Sequence, residues 1–326
     1  MAGSGSAHLR GDAAILSVED LEVEYHTARG AFKAVAGVSF DLLPGETLGI
    51  VGESGCGKST TGRAVLKLDP IAGGRVRYRE DDIVAASPNR MRELRRDMQM
   101  IFQDPVSSLN PRRSVKELVM EGAAIAGVAK SKRDAEAPEI LTQVGLPSER
   151  FAEMLPRQLS GGQAQRVAIG RALAVQPGLL ICDEPVSALD VSVQAQVLNL
   201  LEELKAKYDL TIVFIAHDLG VVRSFSDKVL VMYLGKTCEF GDSIEVYARP
   251  AHPYTRGLLD SVPSPESEEG FAGPALGGDI PSPLSPPSGC RFRTRCPIAQ
   301  ERCATEEPEM REVRPGQYAA CHFPLD

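Results

Sequence analysis

The chain has 326 residues, 43% of them apolar, which is enough for one large domain with a core and an appendage. A net charge of −8 and a pI near 5.3 argue against a nucleic-acid binder. No apolar run reaches the ~18 residues of a membrane span. The opening Met1 to Arg10 lacks the apolar stretch of a secretory signal. Residues 1–13 therefore read as a flexible tail on a cytosolic protein, which would work at a membrane only by docking on embedded partners.

Alternating apolar residues from Ile15 to Tyr25 predict a strand with one wet face, with Ala34 to Leu43 as its antiparallel partner. Thr47 to Val51 is a short apolar strand that runs into Gly52-Glu-Ser-Gly-Cys-Gly-Lys-Ser59, and Thr60 to Leu68 continues as a helix. From about 105 to 175 helical periodicity dominates, which predicts an inserted helical subdomain. Gly178 to Cys182 is a buried strand, Val191 to Tyr208 a helix and Thr211 to Ile215 another buried strand. Strand and helix in alternation predict a parallel sheet covered by helices, an α/β phosphate-loop fold with an antiparallel β subdomain in front. No internal repeat is visible, so one nucleotide-binding unit is expected, over residues 14–250. Beyond about 260, Val262 to Gly270 and Pro281 to Gly289 read as Pro-rich linker, and residues 251–326 as a small tethered C-terminal domain.

Gly52 to Ser59 follows a strand and opens a helix, the context in which glycines let backbone N–H groups turn around phosphate oxygens. Gly52, Ser54, Gly55, Cys56, Gly57 and Thr60 line that loop, Lys58 would reach the β and γ phosphates, and Ser59 would ligate Mg²⁺. Leu179-Leu-Ile-Cys-Asp183-Glu184 presents Asp183 at a strand's C-terminal edge, placed to hold Mg²⁺, with Glu184 as general base. Leu159-Ser160-Gly161-Gly162-Gln163 opens a further helix. It is an ordinary N-cap by Ser160 and, in addition, a second anion receptor.

Leu-Ser-Gly-Gly-Gln between these two halves resembles the ATP-binding subunits of ABC transporters. The resemblance implies that the signature of one subunit caps the γ-phosphate held by another. It also implies roles for Gln103 (Mg²⁺ and the attacking water), for Ser187-Ala-Leu-Asp190 (the loop crossing the dimer interface), for His217 (the γ-phosphate) and for Tyr25, ahead of Phe32, stacking on adenine. Ser108-Leu-Asn-Pro-Arg112, Glu184 to Gln194, His252 to Leu259, Pro281 to Leu284 and Gly289-Cys-Arg-Phe292 are similar to the oligopeptide/dipeptide importer branch, closer to its F-type than its D-type subunit. The implied partners are two membrane permease subunits, a second ATP-binding subunit (a D-type chain or an identical copy) and an extracytoplasmic solute-binding protein, with no nucleic acid. The implied place is the cytoplasmic face of the membrane. Relatives in this branch carry dipeptides, longer peptides, nickel or sugars. Rival readings are a soluble ABC ATPase of repair or translation, and an iron–sulfur redox sensor.

Cys290, Cys296, Cys303 and Cys321 cluster near the C-terminus with the spacing Cys-x5-Cys-x6-Cys-x17-Cys. In a cytosolic chain clustered cysteines suggest a metal. The spacing lacks the Cys-x2-Cys knuckle of many zinc sites, and four thiolates suit iron or zinc. The resemblance favours a [4Fe-4S] cluster, with zinc or an unliganded or disulfide form as alternatives and His322 a bystander. Lying far along the chain from Lys58 and Glu184, the cluster is expected to be structural and remote from phosphate chemistry.

Overall fold

A computed structural model describes residues 6–28, 30–261 and 277–326. The expected linker at Val262 to Gly270 lies outside the described residues. The chain divides into two compact units, residues 1–86 with 214–326, and residues 87–213.

The first unit opens with β1 (Leu16–Thr27) and β2 (Gly30–Leu42), paired antiparallel as expected. Their apolar positions Leu16, Val18, Leu21, Val23, Val35, Val38 and Phe40 are all fully buried on one side. β3 (Thr47–Val51) is buried throughout, and α1 (Lys58–Val65) starts on Lys58 itself, two residues earlier than expected. β4 (Gly73–Tyr78) pairs with β1 and the two-residue β5 (Asp81–Asp82) with β4, closing an antiparallel sheet of order β2-β1-β4-β5.

The second unit begins with α2 (Pro88–Asp97), capped by Ser87, and β6 (Met98–Ile101). Helices α3 (Val115–Val119), α4 (Glu121–Ile125), α5 (Lys130–Gln143), α6 (Ser148–Phe151) and α7 (Gly161–Leu173) follow, so the predicted helical block is present. β7 (Leu179–Asp183) pairs parallel to β6, and α8 (Val191–Tyr208) buries Val197, Leu200, Leu201 and Leu204. β8 (Thr211–Ile215) carries the chain back into the first unit.

There α9 (Leu219–Phe225) precedes β9 (Lys228–Tyr233), which lies parallel to β3, and β10 (Lys236–Asp242), antiparallel to β9. α10 (Ser243–Ala248), α11 (Pro253–Asp260) and α12 (Glu301–Thr305) lead to β11 (Arg311–Arg314) and β12 (Gln317–Ala319). β12 adds to β10 and β11 to β12. The described part of residues 251–326 is thus no tethered module: it continues the sheet of the first unit. A buried carboxylate fastens it. Glu239 on β10 accepts from the N–H of Ala251 (2.8 Å) and of His252 (2.9 Å) and from Gln317 Nε2 (2.7 Å).

The N-terminal expectation also needs correction. From residue 6 onward the supposed tail is anchored in the first unit: His8 is buried with Nε2 2.8 Å from the Ser39 carbonyl oxygen. Arg10 bridges Asp41 (2.9 Å) and Glu46 (2.7 Å). Small residues early in the chain suggested freedom, but one ring and one guanidinium find fixed partners on β2 and just beyond it.

Candidate functional site

Each unit carries its own set of candidate side chains. In the first, the loop after β3 has Gly52, Gly55 and Gly57 at φ of 150°, 78° and 105°. Gly52 and Gly57 could carry no side chain, because a Cβ would lie 2.1 Å from the Met232 carbonyl oxygen and 2.4 Å from that of Ala34. At Gly55 a Cβ would meet nothing within 4 Å, so the loop's mouth is open space that phosphate can fill. Lys58 is buried, and its Nζ donates to the carbonyls of Gly52 (2.8 Å) and Glu53 (3.2 Å). Thr61 Oγ1 donates to the Gly57 carbonyl at 2.9 Å and holds the loop against α1. Cys56 is buried, and burial pushes its thiol up to about 11, so it is packing and not a nucleophile.

Tyr25, near the end of β1, is half-buried beside Phe32, with ring centroids 5.9 Å apart. Burial raises its hydroxyl above the ordinary range, with Thr60 and Asp69 as hydrogen-bonding neighbours. The same chain position thus touches α1 just after the phosphate loop. His217 follows β8 and is exposed. The next residue, Asp218, caps α9 by accepting from the N–H of Gly220 (2.8 Å) and Val221 (3.2 Å).

In the second unit Asp183 is buried at the end of β7 and Glu184 emerges from it with φ of 45°. A bulky residue in the left-handed region costs of order 1–3 kcal/mol and marks a place where the fold aims a side chain. Gln103 Nε2 donates to Glu184 Oε2 at 3.0 Å, so two residues assigned separately from sequence meet. Between them the pair offers a carboxylate base and an amide able to orient a water. Ser160 caps α7 in a reciprocal box: its Oγ accepts from Gln163 N–H (3.3 Å) and Gln163 Oε1 accepts from Ser160 N–H (2.9 Å). Gly161 and Gly162 pack toward Leu189 and Val193, which flank Asp190, the exposed residue before α8. At the other end of α7, Arg171 donates to the carbonyl (2.7 Å) and hydroxyl (3.2 Å) of Ser108, joining the signature helix to the segment after Gln103.

With this geometry in place, comparison with known proteins decides the family. Residues 35–187 match the ABC transporter model and residues 238–303 the model of the oligopeptide/dipeptide transporter C-terminal region. The putative peptide import ATP-binding protein BOV_A0347 of Brucella ovis is 49% identical over 94% of this chain and 97% of its own length. The oligopeptide transport ATP-binding proteins AppF of Bacillus subtilis and OppF of Salmonella typhimurium are each 46% identical, over 95% and 90% of this chain and 97% and 92% of theirs. The chain belongs to the ATP-binding subunits of the oligopeptide/dipeptide ABC transporter family. As such it is an ABC-type ATPase. Among solved structures, a dimeric post-hydrolysis ATP-binding cassette bound to ADP and Pi is similar with a TM-score of 0.64 and 29% identity, covering 70% of this chain and 98% of that one. The CbiO1 component of the cbiONQ transporter from Clostridium perfringens is similar with a TM-score of 0.64 and 30% identity, covering 72% and 91%.

Three cysteines of the matched C-terminal region and Cys321 beyond it surround one cavity. Cys290, Cys296, Cys303 and Cys321 line it with Phe292, Pro253, Ile298 and Phe323. His252 and His322 border it too; His322 Nε2 lies 3.0 Å from the Glu306 carbonyl oxygen. Burial pushes the thiols of Cys290 and Cys321 up to about 11 and about 12, and that of Cys296 upward. Such thiols stay protonated unless a cation draws the proton off. No group of three or more His, Cys, Asp or Glu side chains among the described residues stands at the spacing of a single bound ion. Neither the expected [4Fe-4S] cluster nor its zinc alternative is therefore supported by the spacing of these side chains, although the four thiols line one cavity. The sequence reading also passed over Glu53, which sits in the phosphate loop without being a phosphate ligand type.

Proposed function

We propose that this chain is the ATP-hydrolysing motor of an importer for dipeptides or oligopeptides. The observation that carries this is the match of residues 238–303 to the oligopeptide/dipeptide transporter C-terminal region, joined to near full-length similarity with peptide and oligopeptide import subunits. Among the described residues no helix is long and apolar enough to cross a membrane. The motor would then work at the cytoplasmic face, bound to two permease subunits and served by an extracytoplasmic solute-binding protein.

In this reading the N–H groups of the phosphate loop and Lys58 bind the ATP phosphates, and Tyr25 stacks on adenine. Mg²⁺, when bound, neutralises phosphate charge. Ser59, Gln103 and Asp183 are the residues that would hold it, an all-oxygen set suited to a hard cation. Glu184 takes the proton of the attacking water while Gln103 orients it, and His217 senses the γ-phosphate. Ser160, Gly161, Gly162, Gln163 and Asp190 act on the nucleotide of a second ATP-binding subunit, a D-type relative or another copy. The segment from Gln103 to Arg113 carries the exposed apolar Val106 and follows the exposed Phe102, a fit for a permease loop. Cys290, Cys296, Cys303 and Cys321, which line one cavity, are the four thiols that would hold a [4Fe-4S] cluster, the group the family resemblance favours over zinc.

Affinity purification of the tagged chain from native membranes tests the assignment. Recovery of two polytopic permeases and a second ATP-binding chain is expected. Recovery of nucleic acid or ribosomes without any membrane subunit would overturn it.

A further inference from the structure

Three polar groups of Glu53 are spoken for. Its carboxylate accepts two hydrogen bonds from one guanidinium, Arg295 Nη1 to Oε2 at 2.7 Å and Nη2 to Oε1 at 3.0 Å. Its N–H donates to Tyr254 Oη at 2.9 Å, and its carbonyl accepts from Lys58 Nζ at 3.2 Å. Glu53 follows Gly52, so the first turn of the phosphate loop is gripped by α11 and by the cysteine-bearing segment.

Arg295 is itself fixed. Only 4% of its side chain is exposed. Its Nε donates to the Gly277 carbonyl at 3.0 Å, and its guanidinium lies 5.7 Å from the centre of the Tyr233 ring. Its backbone belongs to the cysteine turn: Arg295 N–H donates to Phe292 (2.9 Å), and Cys290 N–H to Cys303 (2.8 Å). Phe292, fully buried, packs against Tyr233 and Tyr254 at 5.3 and 5.2 Å. The residue that follows Arg295 is Cys296.

We propose that Arg295 positions the phosphate loop through Glu53, so that the folded state of the four-cysteine loop sets the affinity for ATP. Two physical effects act together. A part-buried bidentate pair fixes the direction of Glu53 and hence of the N–H groups that follow it. The guanidinium also neutralises a carboxylate that would otherwise face the incoming polyphosphate, and one such pair broken on one side leaves an uncompensated charge. Arg295 touches neither nucleotide nor water in this account; it acts through Glu53. The inference rests on the assignment of Gly52 to Ser59 as the phosphate site, and a control variant separates the two.

The test is calorimetric binding of Mg²⁺ and a non-hydrolysable ATP analogue to the full chain, with circular dichroism to confirm folding. Arg295→Ala should weaken binding by about tenfold, a factor expected for loss of one charged partner. Arg295→Lys should weaken it less, since charge remains and the fork is lost. Adding Glu53→Gln to Arg295→Ala should restore affinity to within about threefold of wild type, because the orphaned charge goes. A role in packing alone predicts no such rescue. Amide exchange of residues 52–58 should rise in Arg295→Ala. If Arg295→Ala binds as tightly as wild type while Lys58→Ala does not, the coupling is absent. If the double variant is as weak as Arg295→Ala, the electrostatic route is wrong. If Lys58→Ala also binds like wild type, the phosphate-loop assignment itself fails. Should Arg295→Ala not fold, the neutral Arg295→Gln with and without Glu53→Gln carries the same comparison.

Discussion

Gly161 and Gly162 stand side by side in the signature, yet adding one methyl to each should have opposite effects on stability. A Cβ at Gly162 would lie 2.5 Å from Val193 Cγ1, closer than folded proteins tolerate. Val193 is β-branched and sits in the first turn of α8, so its χ1 has one strongly preferred well and cannot swing away freely. Overpacking of this kind costs about 1–3 kcal/mol, while replacing glycine in a helix gains at most about 1 kcal/mol. The clash wins, and Gly162→Ala should lose about 1–2 kcal/mol. At Gly161 the new Cβ would sit 3.4 Å from Leu189 Cδ2, near ordinary contact. There the helical gain wins, and Gly161→Ala should be neutral or up to about 1 kcal/mol more stable. Urea denaturation followed by circular dichroism reads both. Val193→Ala in the Gly162→Ala background should recover at least half of the loss. Equal stability of Gly162→Ala and wild type, or no recovery with Val193→Ala, would refute the reasoning. Under the proposed role of Ser160 to Gln163 toward a second subunit's nucleotide, both glycine variants should also lower ATPase activity in the assembled transporter.

Glu184→Gln should keep nucleotide binding and lose turnover by at least about 10²-fold in a transporter whose partner site is also disabled, the scale of a lost general base; wild-type phosphate release there would remove Glu184 from the mechanism. Burial depresses the pKa of His252 to about 4, so the unfolded chain binds its proton first as pH falls. The associated stability is present above pH 6.5 and lost progressively between about 6.5 and 4, up to about 3 kcal/mol. His252→Asn, which keeps an acceptor for the Tyr254 N–H, should flatten the urea midpoint over that range, and an unchanged slope would count against the assignment. Anaerobically purified chain should be brown with about four irons, and stoichiometric zinc without iron would reverse the metal assignment.

How much of this was legible in the sequence follows from the range of the interactions. β3 and the glycine-rich loop after it were readable because glycines at fixed spacing, a lysine and a serine form a local pattern over eight adjacent residues, although α1 begins at Lys58 and not at Thr60. Ser160 as a cap was readable for the same reason, its partner Gln163 being three residues on. Gln103 was named only through family resemblance, and its contact with Glu184, 81 residues on, was not anticipated. What composition got wrong was the two ends. His8 and Arg10 looked free because their partners lie 31 to 36 residues downstream. The C-terminal segment looked tethered because its few apolar residues could not make a core alone. It does not need one: β12 borrows the edge of β10, and Phe292 enters an aromatic group already present.

The same point bears on the cysteine loop. Distance along the chain suggested that these cysteines are remote from ATP, and 242 residues do separate Arg295 from Glu53. Yet closing a long loop adds little entropy cost beyond a short one, about 0.6 kcal/mol per doubling of length, so folding places no premium on sequence neighbours. Two charge-assisted hydrogen bonds, one tyrosine hydroxyl and a shared aromatic packing group are enough to join the ends of the first unit. A perturbation of the cysteine turn then has a short physical route to the phosphate loop, from Cys296 through the adjoining Arg295 to Glu53 and on to Lys58, whose Nζ the Glu53 carbonyl holds. The turn that carries these thiols would then be structural in its chemistry and still tune nucleotide binding, because it is the stretch of chain that aims the guanidinium.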